Sequence, residues 1–453
     1  MTDGEPGAGR SAPLGILAGS GPLPIEIAEA GARQGRPIHI VAIDGFAHDA
    51  VARFPHERVS IGEVGRILNS FRRSGVREIV IAGAMTRPNL LRIKIDSGFI
   101  TNLPTVLSLT KGGDDSVLRR VVRFFEGHGL VVLGAGEVAP ELLAPKGSLA
   151  LPAPVPGLDA VLLRAAALMN ALAPFDIGQG VVARADGIIA VEGVRGTDAM
   201  LADLGQGGAA DGRGTGGVLL KLAKRGQEMR IDLPTIGPET VRRAKAAGLA
   251  GIAVGAGAAI VLERERLVAE AEDAGLFVIG IETPEAAAGL QGAAGAAATQ
   301  TDAAAPLLRV AARRAPTPGD RRDTGIGRRL MAILRAHGAG PAAIVSREHV
   351  HAVAGRVPLA AFVAAQGRPA TWGWRALRGR LGILMIDGSG LDEDGAMRLL
   401  DADLMRAAME TGLAGIVLLG ALPQGEAGAQ LRDWANEARV FLMAEVREEP
   451  DGS

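Results

Sequence analysis

Short apolar runs are separated by stretches with helical periodicity in the first third of the chain. The runs lie at 14–18, 38–43, 79–82 and 130–133, and the clearest helical stretches at 65–71 and 117–125. Strands that alternate with helices in this way are typical of βαβ units and a parallel sheet. The pattern therefore predicts an α/β fold, with a first domain at residues 13–148.

Two segments rich in proline or small residues divide the rest of the chain. Residues 149–160, which contain LALPAPVPG, predict a linker, and residues 284–320, rich in Ala, Gly, Thr, Pro and Arg, predict a flexible linker. They delimit a second α/β domain at 161–283 and a C-terminal α/β module at 321–447. The predicted tails are 1–12 and 448–453.

Composition narrows the class of protein. A formal net charge of -1 gives no general attraction for nucleic acid. The absence of cysteine excludes disulfides and thiolate metal sites, and it fits a reducing compartment. We find neither a signal-peptide pattern at the start of the sequence nor about 18 uninterrupted apolar residues. We therefore expect a cytoplasmic protein.

Small residues and cations follow the predicted strands of the first domain. The turn Gly19-Ser20-Gly21 can offer backbone N–H groups to a phosphate or sugar oxygen. Gly83 begins a second turn that contains Arg87, and Lys111 precedes a helix; both cations suit a diphosphate. The alternative is a tight turn without ligand, with solvated cations and a capping aspartate.

Acidic residues lie in or beside turns of the second domain. They are Asp176, Glu192, Asp198 and Asp232. Carboxylate oxygens favour Mg²⁺ or Mn²⁺, which would neutralise a pyrophosphate. The structural alternative makes Asp198 a helix cap and Asp232 a turn residue.

Seven motifs in order resemble one enzyme family. They are LGILAGSGPLP (14–24), AGAMTRP (82–88), KGGDDSVLRR (111–120), DIGQGVV (176–182), AVEGVRGTDAM (190–200), DLPTIG (232–237) and AGLAGI (247–252). Residues 13–283 thereby resemble the metal-dependent UDP-2,3-diacylglucosamine pyrophosphatases of lipid A synthesis, the type unrelated to calcineurin-like phosphoesterases. Two departures are the additional glycine in KGGDD and the lack of an asparagine in AGAMTRP.

The resemblance implies a fold, a reaction and a site. The fold is two α/β domains with Rossmann-like parallel or mixed sheets that enclose the lipid substrate. The reaction is hydrolysis to UMP and 2,3-diacylglucosamine 1-phosphate with Mg²⁺ or Mn²⁺, by attack on the sugar-side phosphorus. Asp232 is the implied catalytic acid, and Asp232 and Asp198 the implied metal ligands. The implied substrate-binding residues are Gly19, Ser20, Gly21, Gly83, Arg87, Lys111, Gln179, Glu192, Thr197 and Asp198.

The C-terminal module contains a predicted internal repeat. AIVSREHVHAVAG (343–355) parallels VVARADGIIAVEG (181–193), and GLAGI recurs at 248–252 and 412–416. When position 181 is aligned with position 343, Glu192, Thr197 and Asp198 fall on Ala354, Leu359 and Ala360, and Asp232 has no clear counterpart. The hypothesis is a non-catalytic module that packs on the enzyme, a partner or the membrane surface.

Two other classes of protein stay open. One is a non-catalytic nucleotide-sugar or lipid-binding regulatory protein of the same fold. The other is a dinucleotide-dependent oxidoreductase. Pro24 argues against this class, because the dinucleotide-binding motif has a glycine at that position. Because the implied substrate is a lipid, peripheral contact with the cytoplasmic face of the inner membrane is a further expectation, and a homo-oligomer is another.

Overall fold

The computed structural model describes residues 12–85, 94–103, 114–151, 157–207, 216–224, 227–282, 308–367 and 381–445. The chain forms two compact units. The first unit comprises Met1–Lys146, Gly226–Pro238 and Gly255–Val268, and the second comprises Gly147–Arg225, Glu239–Val254 and Ala269–Ser453. The chain therefore returns twice from the second unit to the first.

The first unit is built on a parallel sheet, which has five strands within the described residues. Its order is β3-β2-β1-β4-β5, and all neighbouring strands are parallel. The strands are β1 (Leu14–Ala18), β2 (Ile38–Ile43), β3 (His56–Val59), β4 (Glu78–Ala82) and β5 (Val131–Leu133). All residues of β1 are buried, as expected for a strand covered on both faces. The predicted α/β fold with a parallel sheet is confirmed.

Helices cover both faces of this parallel sheet. They are α1 (Leu23–Arg33), α2 (Val64–Arg73), α3 (Ser97–Thr101), α4 (Asp114–Gly127) and α5 (Ala135–Val138), with 3₁₀ turns at Asp49–Arg53 and Pro140–Leu142. Ile16 of β1 packs with Ile27 of α1 in what we call the α1-side cluster. The next residue, Leu17, packs with Phe71 of α2 in the α2-side cluster. The strand's period of two thus divides its side chains between two cores.

The strand order creates a switch point between β1 and β4. From β1 the chain runs to β2 and β3 on one side, and then crosses to β4 and β5 on the other. Ligands of open parallel sheets bind outside the carboxyl ends of the strands at such a point. The turns that follow β1 and β4 are therefore the expected ligand site of this unit.

The two returning segments add a pair of short strands to the first unit. The strands are β10 (Thr235–Ile236) and β12 (Ile260–Val261), which pair in parallel. Ile260 is buried in the α1-side cluster, and its N–H donates to the Pro234 carbonyl at 2.8 Å. Asp232, expected in the second domain, thus lies in the first unit.

The second unit is built on a large sheet that has twelve strands among the described residues. Its order is β14-β19-β18-β17-β15-β16-β8-β7-β9-β11-β13-β6. Residues 147–281 supply β6 (Gly147–Ala150), β7 (Gly180–Arg184), β8 (Gly187–Val191), β9 (Val218–Lys221), β11 (Gly251–Gly255) and β13 (Phe277–Ile281). Residues 308–445 supply β14 (Leu308–Val310), β15 (Ala342–Ser346), β16 (His349–Val353), β17 (Ile383–Asp387), β18 (Gly415–Leu419) and β19 (Phe441–Glu445).

Helices connect most of these strands. They are α6 (Leu158–Leu172), α7 (Gly196–Gly207), α8 (Pro238–Ala246), α9 (Arg264–Ala274), α10 (Pro318–Ala336), α11 (Leu359–Gln366), α12 (Glu393–Leu399), α13 (Ala402–Thr411) and α14 (Gly425–Glu437). The first residue of α8 and residues 264–268 of α9 still belong to the first unit. A 3₁₀ turn, Ala173–Phe175, follows α6. The second unit is therefore a mixed α/β structure.

The two halves of the large sheet have the same strand order and the same pairing. The hairpin β7–β8 (180–191) and the hairpin β15–β16 (342–353) correspond position by position, and both have a register shift at the same place. β9 and β17 follow as antiparallel neighbours, β11 and β18 as parallel ones, and β6 and β14 form the outer edges. The repeat predicted from the sequence corresponds to these two halves, which we call the first copy (147–281) and the second copy (308–445).

The predicted linkers border regular structure. Part of 284–320 lies outside the described residues, but its end contains β14 and the start of α10. The segment 149–160 contains the end of β6 and the start of α6. The second domain and the C-terminal module belong to one unit, because β8 and β16 pair with each other.

One described segment, Leu158–Phe175, is long and apolar enough by composition to cross a bilayer. It includes α6, and 44% of it is buried inside the protein. Leu162, Leu168 and Leu172 belong to the core of the large sheet. Packing in a core is therefore sufficient to account for its apolar composition.

Candidate functional site

Two glycine turns tie together the carboxyl ends of β1 and β4. Ser20 and Ala84 exchange backbone hydrogen bonds of 2.9 and 3.1 Å, and the Ser20 hydroxyl donates to the Ala84 carbonyl at 2.8 Å. A Cβ atom on Gly83 would lie 2.5 Å from the Ser20 carbonyl oxygen, and one on Gly19 would lie 2.8 Å from the Gly83 carbonyl oxygen. This close approach requires both glycines.

Some polar groups of these turns are hydrogen-bonded within the protein, and others are open to a ligand. The N–H groups of Gly19 and Ser20 donate to carbonyls of residues 82 and 84. Those two amides therefore hold the sheet ends together. Gly21 has a φ of +89° and open space where a Cβ would lie. A ligand at this turn would meet Gly21 and the Ser20 hydroxyl oxygen, and substrate contact by Gly19, Ser20, Gly21 and Gly83 stays a prediction.

The backbone around Asp232 is held by hydrogen bonds. Its N–H donates to the Glu228 carbonyl at 3.0 Å, and its carbonyl accepts a hydrogen bond from the Gln227 side chain. The Thr235 hydroxyl donates to the Leu233 carbonyl at 3.0 Å. Both main-chain groups of Asp232 thus have protein partners, so its backbone position is fixed.

The residues on either side of Asp232 are anchored in different cores. Ile231 packs against the α2-side cluster, and Leu233 packs against the α1-side cluster. A Cβ on Gly134, the residue after β5, would lie 3.5 Å from the Cα of Arg230. The segment that carries Asp232 therefore runs beside the carboxyl end of β5, at the edge of the sheet where ligands of this fold bind.

A charged network stabilises the turn before Asp232. Arg230 donates to Glu228 at 2.8 and 3.0 Å and to Glu126 of α4 at 2.8 Å. The Arg230 hydrogen bonds lower the pKa of Glu228, and the Glu228 hydrogen bonds raise the pKa of Arg230. These residues were not predicted from the sequence; the signal that could have revealed them is the polar run Gln227-Glu228-Met229-Arg230 directly before the DLPTIG motif.

A carboxylate–hydroxyl pair that combines a half-buried glutamate with a buried threonine follows β8 in the second unit. The Thr197 hydroxyl donates to Glu192 Oε2 at 3.0 Å, and Thr197 is only 8% exposed. A Cβ on Gly180 would lie 2.5 Å from the same carboxylate oxygen. The structure therefore brings together two predicted substrate residues, Glu192 and Thr197, and adds Gly180 as the residue that makes room for the carboxylate.

The DIGQG motif places Gln179 directly before β7. The Gln179 carbonyl accepts a hydrogen bond from the Leu222 N–H at 3.1 Å. Three residues earlier, Asp176 has a φ of +52° and pairs with Lys224 at 3.0 Å. Lys224 was also missed, and the signal was a pair of lysines, 221 and 224, in an otherwise apolar run.

Asp198 lies in the first turn of α7. Its carboxylate is 3.5 Å from Arg243 Nε, and Arg243 also pairs with Glu239 at 2.8 Å. An acidic side chain in the first turn of a helix interacts favourably with the helix dipole. Asp198 belongs to the second unit and Asp232 to the first. Their joint role as metal ligands stays a prediction.

Two predicted substrate residues, Arg87 and Lys111, lie outside the described residues. The side chains of Asp114 and Asp115, next to Lys111, also lie outside them. The contacts of the KGGDD motif therefore stay predictions.

The described residues contain no group of three or more His, Asp or Glu side chains that could hold a metal ion. A magnesium site does not need such a group, because Mg²⁺ commonly binds one or two carboxylates and completes its shell with water and substrate phosphates. Asp232 supplies a carboxylate of the right chemistry. The donor set thus fits a cation that is shared with a phosphorylated ligand.

The fold and these residues define a class of protein. The first unit is a parallel α/β domain with glycine turns and a fixed aspartate segment at the carboxyl ends of its strands. The second unit contains the hydrogen-bonded carboxylate and hydroxyl of Glu192 and Thr197 after the end of a strand. These features are typical of α/β proteins that bind a polar ligand at strand ends.

Comparison with known proteins gives the particular family. The models of the LpxI N-terminal domain and the LpxI C-terminal domain match residues 13–142 and 145–279. The UDP-2,3-diacylglucosamine pyrophosphatase LpxI of Caulobacter vibrioides is 39% identical over 275 residues, which are 60% of this chain and 98% of that protein. The chain belongs to the LpxI family, and the family resemblance seen in the seven motifs is confirmed. The metal dependence that the resemblance implies stays a prediction. The family models end at residue 279, before the second copy.

Proposed function

We propose that this chain hydrolyses the pyrophosphate bond of UDP-2,3-diacylglucosamine to UMP and 2,3-diacylglucosamine 1-phosphate in lipid A biosynthesis. The observation that carries the proposal is the match of both family domains, in order, over residues 13–279. The 39% identity to a pyrophosphatase of this specificity supports it. The carboxyl-edge turns and the anchored Asp232 segment are consistent with it.

The reaction sets clear demands on the protein. A water oxygen forms a bond to one phosphorus, the bond from that phosphorus to the bridging oxygen breaks, and the bridging oxygen leaves with the other phosphate. The anionic oxygens of the diphosphate repel the attacking water, so positive charge is needed near them. A divalent cation, Mg²⁺ or Mn²⁺, would supply that charge and polarise the phosphorus.

Asp232 is the residue proposed to act at the reacting atoms. Its carboxylate would orient the water and accept its proton, and the fixed backbone on both sides would keep the carboxylate in position. Gly21 and Ser20 would contact a polar group of the substrate. Glu192 and Thr197, hydrogen-bonded to each other, would bind a hydroxyl or amide of the substrate as a unit.

The experiment is a product assay with the full chain. Purified protein is incubated with UDP-2,3-diacylglucosamine in water enriched in ¹⁸O, with Mg²⁺, with Mn²⁺ or with a chelator. We expect UMP release with a cation, loss of release with the chelator, and ¹⁸O in the sugar 1-phosphate. A folded, cation-supplied chain that releases no UMP would overturn the proposal, whereas ¹⁸O in UMP would move the attack to the other phosphorus.

The proposed substrate also suggests where the chain works. A lipid substrate with two acyl chains resides in a bilayer, so the enzyme would meet it at the cytoplasmic face of the inner membrane. We expect weak, reversible flotation with vesicles that contain the substrate and none with vesicles that lack it. Equal flotation with both would contradict a contact that depends on the substrate.

A further inference from the structure

The second copy joins the first copy at the two strands that correspond to each other. β8 and β16 are equivalent strands of the repeat, and they pair in antiparallel fashion through Val191 and Val353. These two valines are also equivalent positions, since each is the last residue of its hairpin. The midpoint between them therefore marks a two-fold axis that relates the copies.

The hydrogen bonds around this axis occur in equivalent pairs. The Val194 N–H donates to the His351 carbonyl at 3.0 Å, and the Arg356 N–H donates to the Ile189 carbonyl at 3.3 Å. Positions 194 and 356 are equivalent, and so are 189 and 351. An interface in which residue i contacts j and the equivalent of i contacts the equivalent of j is the isologous interface of a two-fold dimer.

Two equivalent glycines permit this contact. A Cβ on Gly193 would lie 2.6 Å from the His351 carbonyl oxygen, and one on Gly355 would lie 2.7 Å from the Ile189 carbonyl oxygen. The atoms that a side chain would meet are backbone atoms, which cannot turn away as a flexible side chain can. Both copies therefore keep a glycine where the partner backbone approaches.

One apolar core continues through both copies. Leu168 and Leu172 of α6 in the first copy belong to the same cluster as Leu330 and Leu334 of α10 in the second, and all are at most 1% exposed. Interfaces that resemble a domain core cut in half are those of permanent subunits rather than transient partners. The surface of the first copy at β8 and α6 is thus covered as a subunit interface would be.

We propose that residues 308–445 are a second copy of the 147–281 domain and serve as its partner subunit within the same chain. The interaction surface is the β8 edge with the buried face of α6, and its occupant is the equivalent surface of the second copy. The occupant is held by sheet pairing and by the common core, not by its covalent connection. This proposal does not depend on the enzymatic function.

The experiment cuts the connection in the intact, folded chain. A recognition sequence for a site-specific protease replaces part of residues 283–307, and the purified full chain is then cleaved. We expect the two pieces to remain associated one to one in native mass spectrometry, with a total mass close to the 46.4 kDa of the chain. Separation of the pieces in native buffer would overturn the proposal.

Glycine variants test which surface holds the pieces. Gly193→Ala and Gly355→Ala should each weaken the association of the cleaved pieces at least ten-fold, and by similar factors, because the positions are equivalent. Gly325→Ala in α10 is the matched control, since open space surrounds the position of its Cβ. A normal circular dichroism spectrum before cleavage establishes that each variant folds. Unchanged association in both interface variants would contradict the proposed surface.

A disulfide gives a second measurement that does not need weakened variants. The chain has no cysteine, so Val191→Cys with Val353→Cys introduces a single pair at directly opposed positions. After cleavage and oxidation, the two pieces should migrate as one band without reductant. The control pair, Val191→Cys with Val417→Cys on the buried strand β18, should give two bands. Two bands from the 191–353 pair would overturn the proposed register.

Discussion

The first and second copies of the repeated domain have the same hairpin but different side chains at its end. In the first copy, Gly180 leaves room for the Glu192 carboxylate, which accepts a hydrogen bond from Thr197. The equivalent residues of the second copy are Ala342, Ala354 and Leu359, all buried. A methyl group on residue 342 fills space where the first copy holds a carboxylate. The three positions have thus changed together, from a polar site to an apolar core.

The two copies therefore differ in the residues predicted to contact substrate but not in the glycines needed for their contact with each other. Both copies keep the glycines at the β8–β16 contact, Gly193 and Gly355, which the interface requires. They differ at the positions that carry the predicted substrate contacts. The comparison therefore predicts that equivalent substitutions in the two copies affect different properties of the protein.

The largest expected effect is the loss of activity when the Thr197 hydroxyl of the first copy is removed. Thr197→Val keeps the shape of the side chain but removes the hydrogen-bond donor to the half-buried, charged Glu192 carboxylate, which costs about 1–3 kcal/mol. We expect kcat/KM for UMP release to fall roughly 10- to 100-fold. Leu359→Val, the matched variant of the second copy, should leave kcat/KM unchanged and cost about 1 kcal/mol of stability. Equal losses of activity in the two variants would remove the distinction between the copies.

A double-mutant cycle tests whether positions 180 and 192, a glycine and a glutamate in the first copy and two alanines in the second, changed together. Gly180→Ala should displace the Glu192 carboxylate and break its bond to Thr197, whereas Gly180→Ala with Glu192→Ala recreates the pair of the second copy. We expect a coupling free energy of about 1–2 kcal/mol in urea unfolding. The control Ala342→Gly should cost about 0.5–1 kcal/mol through backbone entropy. Additive effects of the two substitutions would show that the positions did not change as a unit.

The helix that supports each hairpin turn differs in charge between the copies. In the first copy Arg164 of α6 donates to the carbonyls of residues 184 and 185 at 3.3 and 2.8 Å. In the second copy Asp323 of α10 accepts from the N–H groups of residues 347 and 348 at 3.0 and 2.6 Å, and burial raises the pKa of its carboxyl group. The turn at 347–348 has positive φ angles, which present its amides to the helix.

Removing these supports should have unequal effects. Asp323→Ala leaves two amides without their acceptor and should lower the free energy of unfolding by about 2 kcal/mol. Arg164→Ala should cost about 1 kcal/mol, because the shorter of its two hydrogen bonds, to the carbonyl of residue 185, is exposed to water. Thermal unfolding followed by circular dichroism measures both effects. A larger loss of stability in Arg164→Ala than in Asp323→Ala would contradict the expected order.

The smallest expected effect is at an ion pair between the copies. Asp186 pairs with Arg184 at 2.7 Å and with Arg356 of the second copy at 2.9 Å. Hydrogen bonds from Arg184 and then Arg356 lower the pKa of Asp186. A carboxyl group whose pKa is lowered by folding stabilises the protein at pH values above the pKa that the group has in the unfolded chain, which is near 3.9. This contribution is lost as the pH falls through the lower pKa that the group has in the folded protein.

Asp186→Asn should therefore reduce stability at pH 7 by less than about 1 kcal/mol, and the difference from the unsubstituted chain should shrink below pH 4. The equivalent residue of the second copy, Glu348, pairs with Arg322 of its own copy, and more than half of each side chain is exposed. Glu348→Gln should change urea unfolding at pH 7 by no measurable amount. A difference for Asp186→Asn that grows in acid would contradict the sign of the pKa shift.

Local sequence patterns were sufficient for the core of the first unit. The apolar runs at 14–18 and 38–43 coincide with β1 and β2, because fully buried parallel strands are continuous apolar segments. The short strands β10 and β12 had no such signal. Each has two residues, and their pairing depends on segments that return from the other unit. For the same reason, the sequence did not reveal that Asp232 belongs to the first unit.

The sequence predicted those residues of the candidate site that lie in one motif. It did not predict those that are brought together by contacts between distant parts of the chain. Glu192 and Thr197 lie in one motif, and the structure joins them. Arg230 was missed, because its partner Glu126 is distant in the sequence. The repeat was visible in the sequence because the hairpin kept its length. The pairing of β8 with β16 was not, since the valine bridge and the backbone hydrogen bonds beside it join residues that are distant in the sequence.

The most direct test of the role of Asp232 is UMP release from UDP-2,3-diacylglucosamine by the intact chain and by its Asp232→Asn variant, both supplied with Mg²⁺. The matched control is Asp433→Asn, which removes an exposed carboxylate of the second copy. We expect release by the intact chain and by the control, and a loss of about 1000-fold or more in Asp232→Asn. Near-normal release by a folded Asp232→Asn variant would contradict the central role of this residue and of the edge on which it lies.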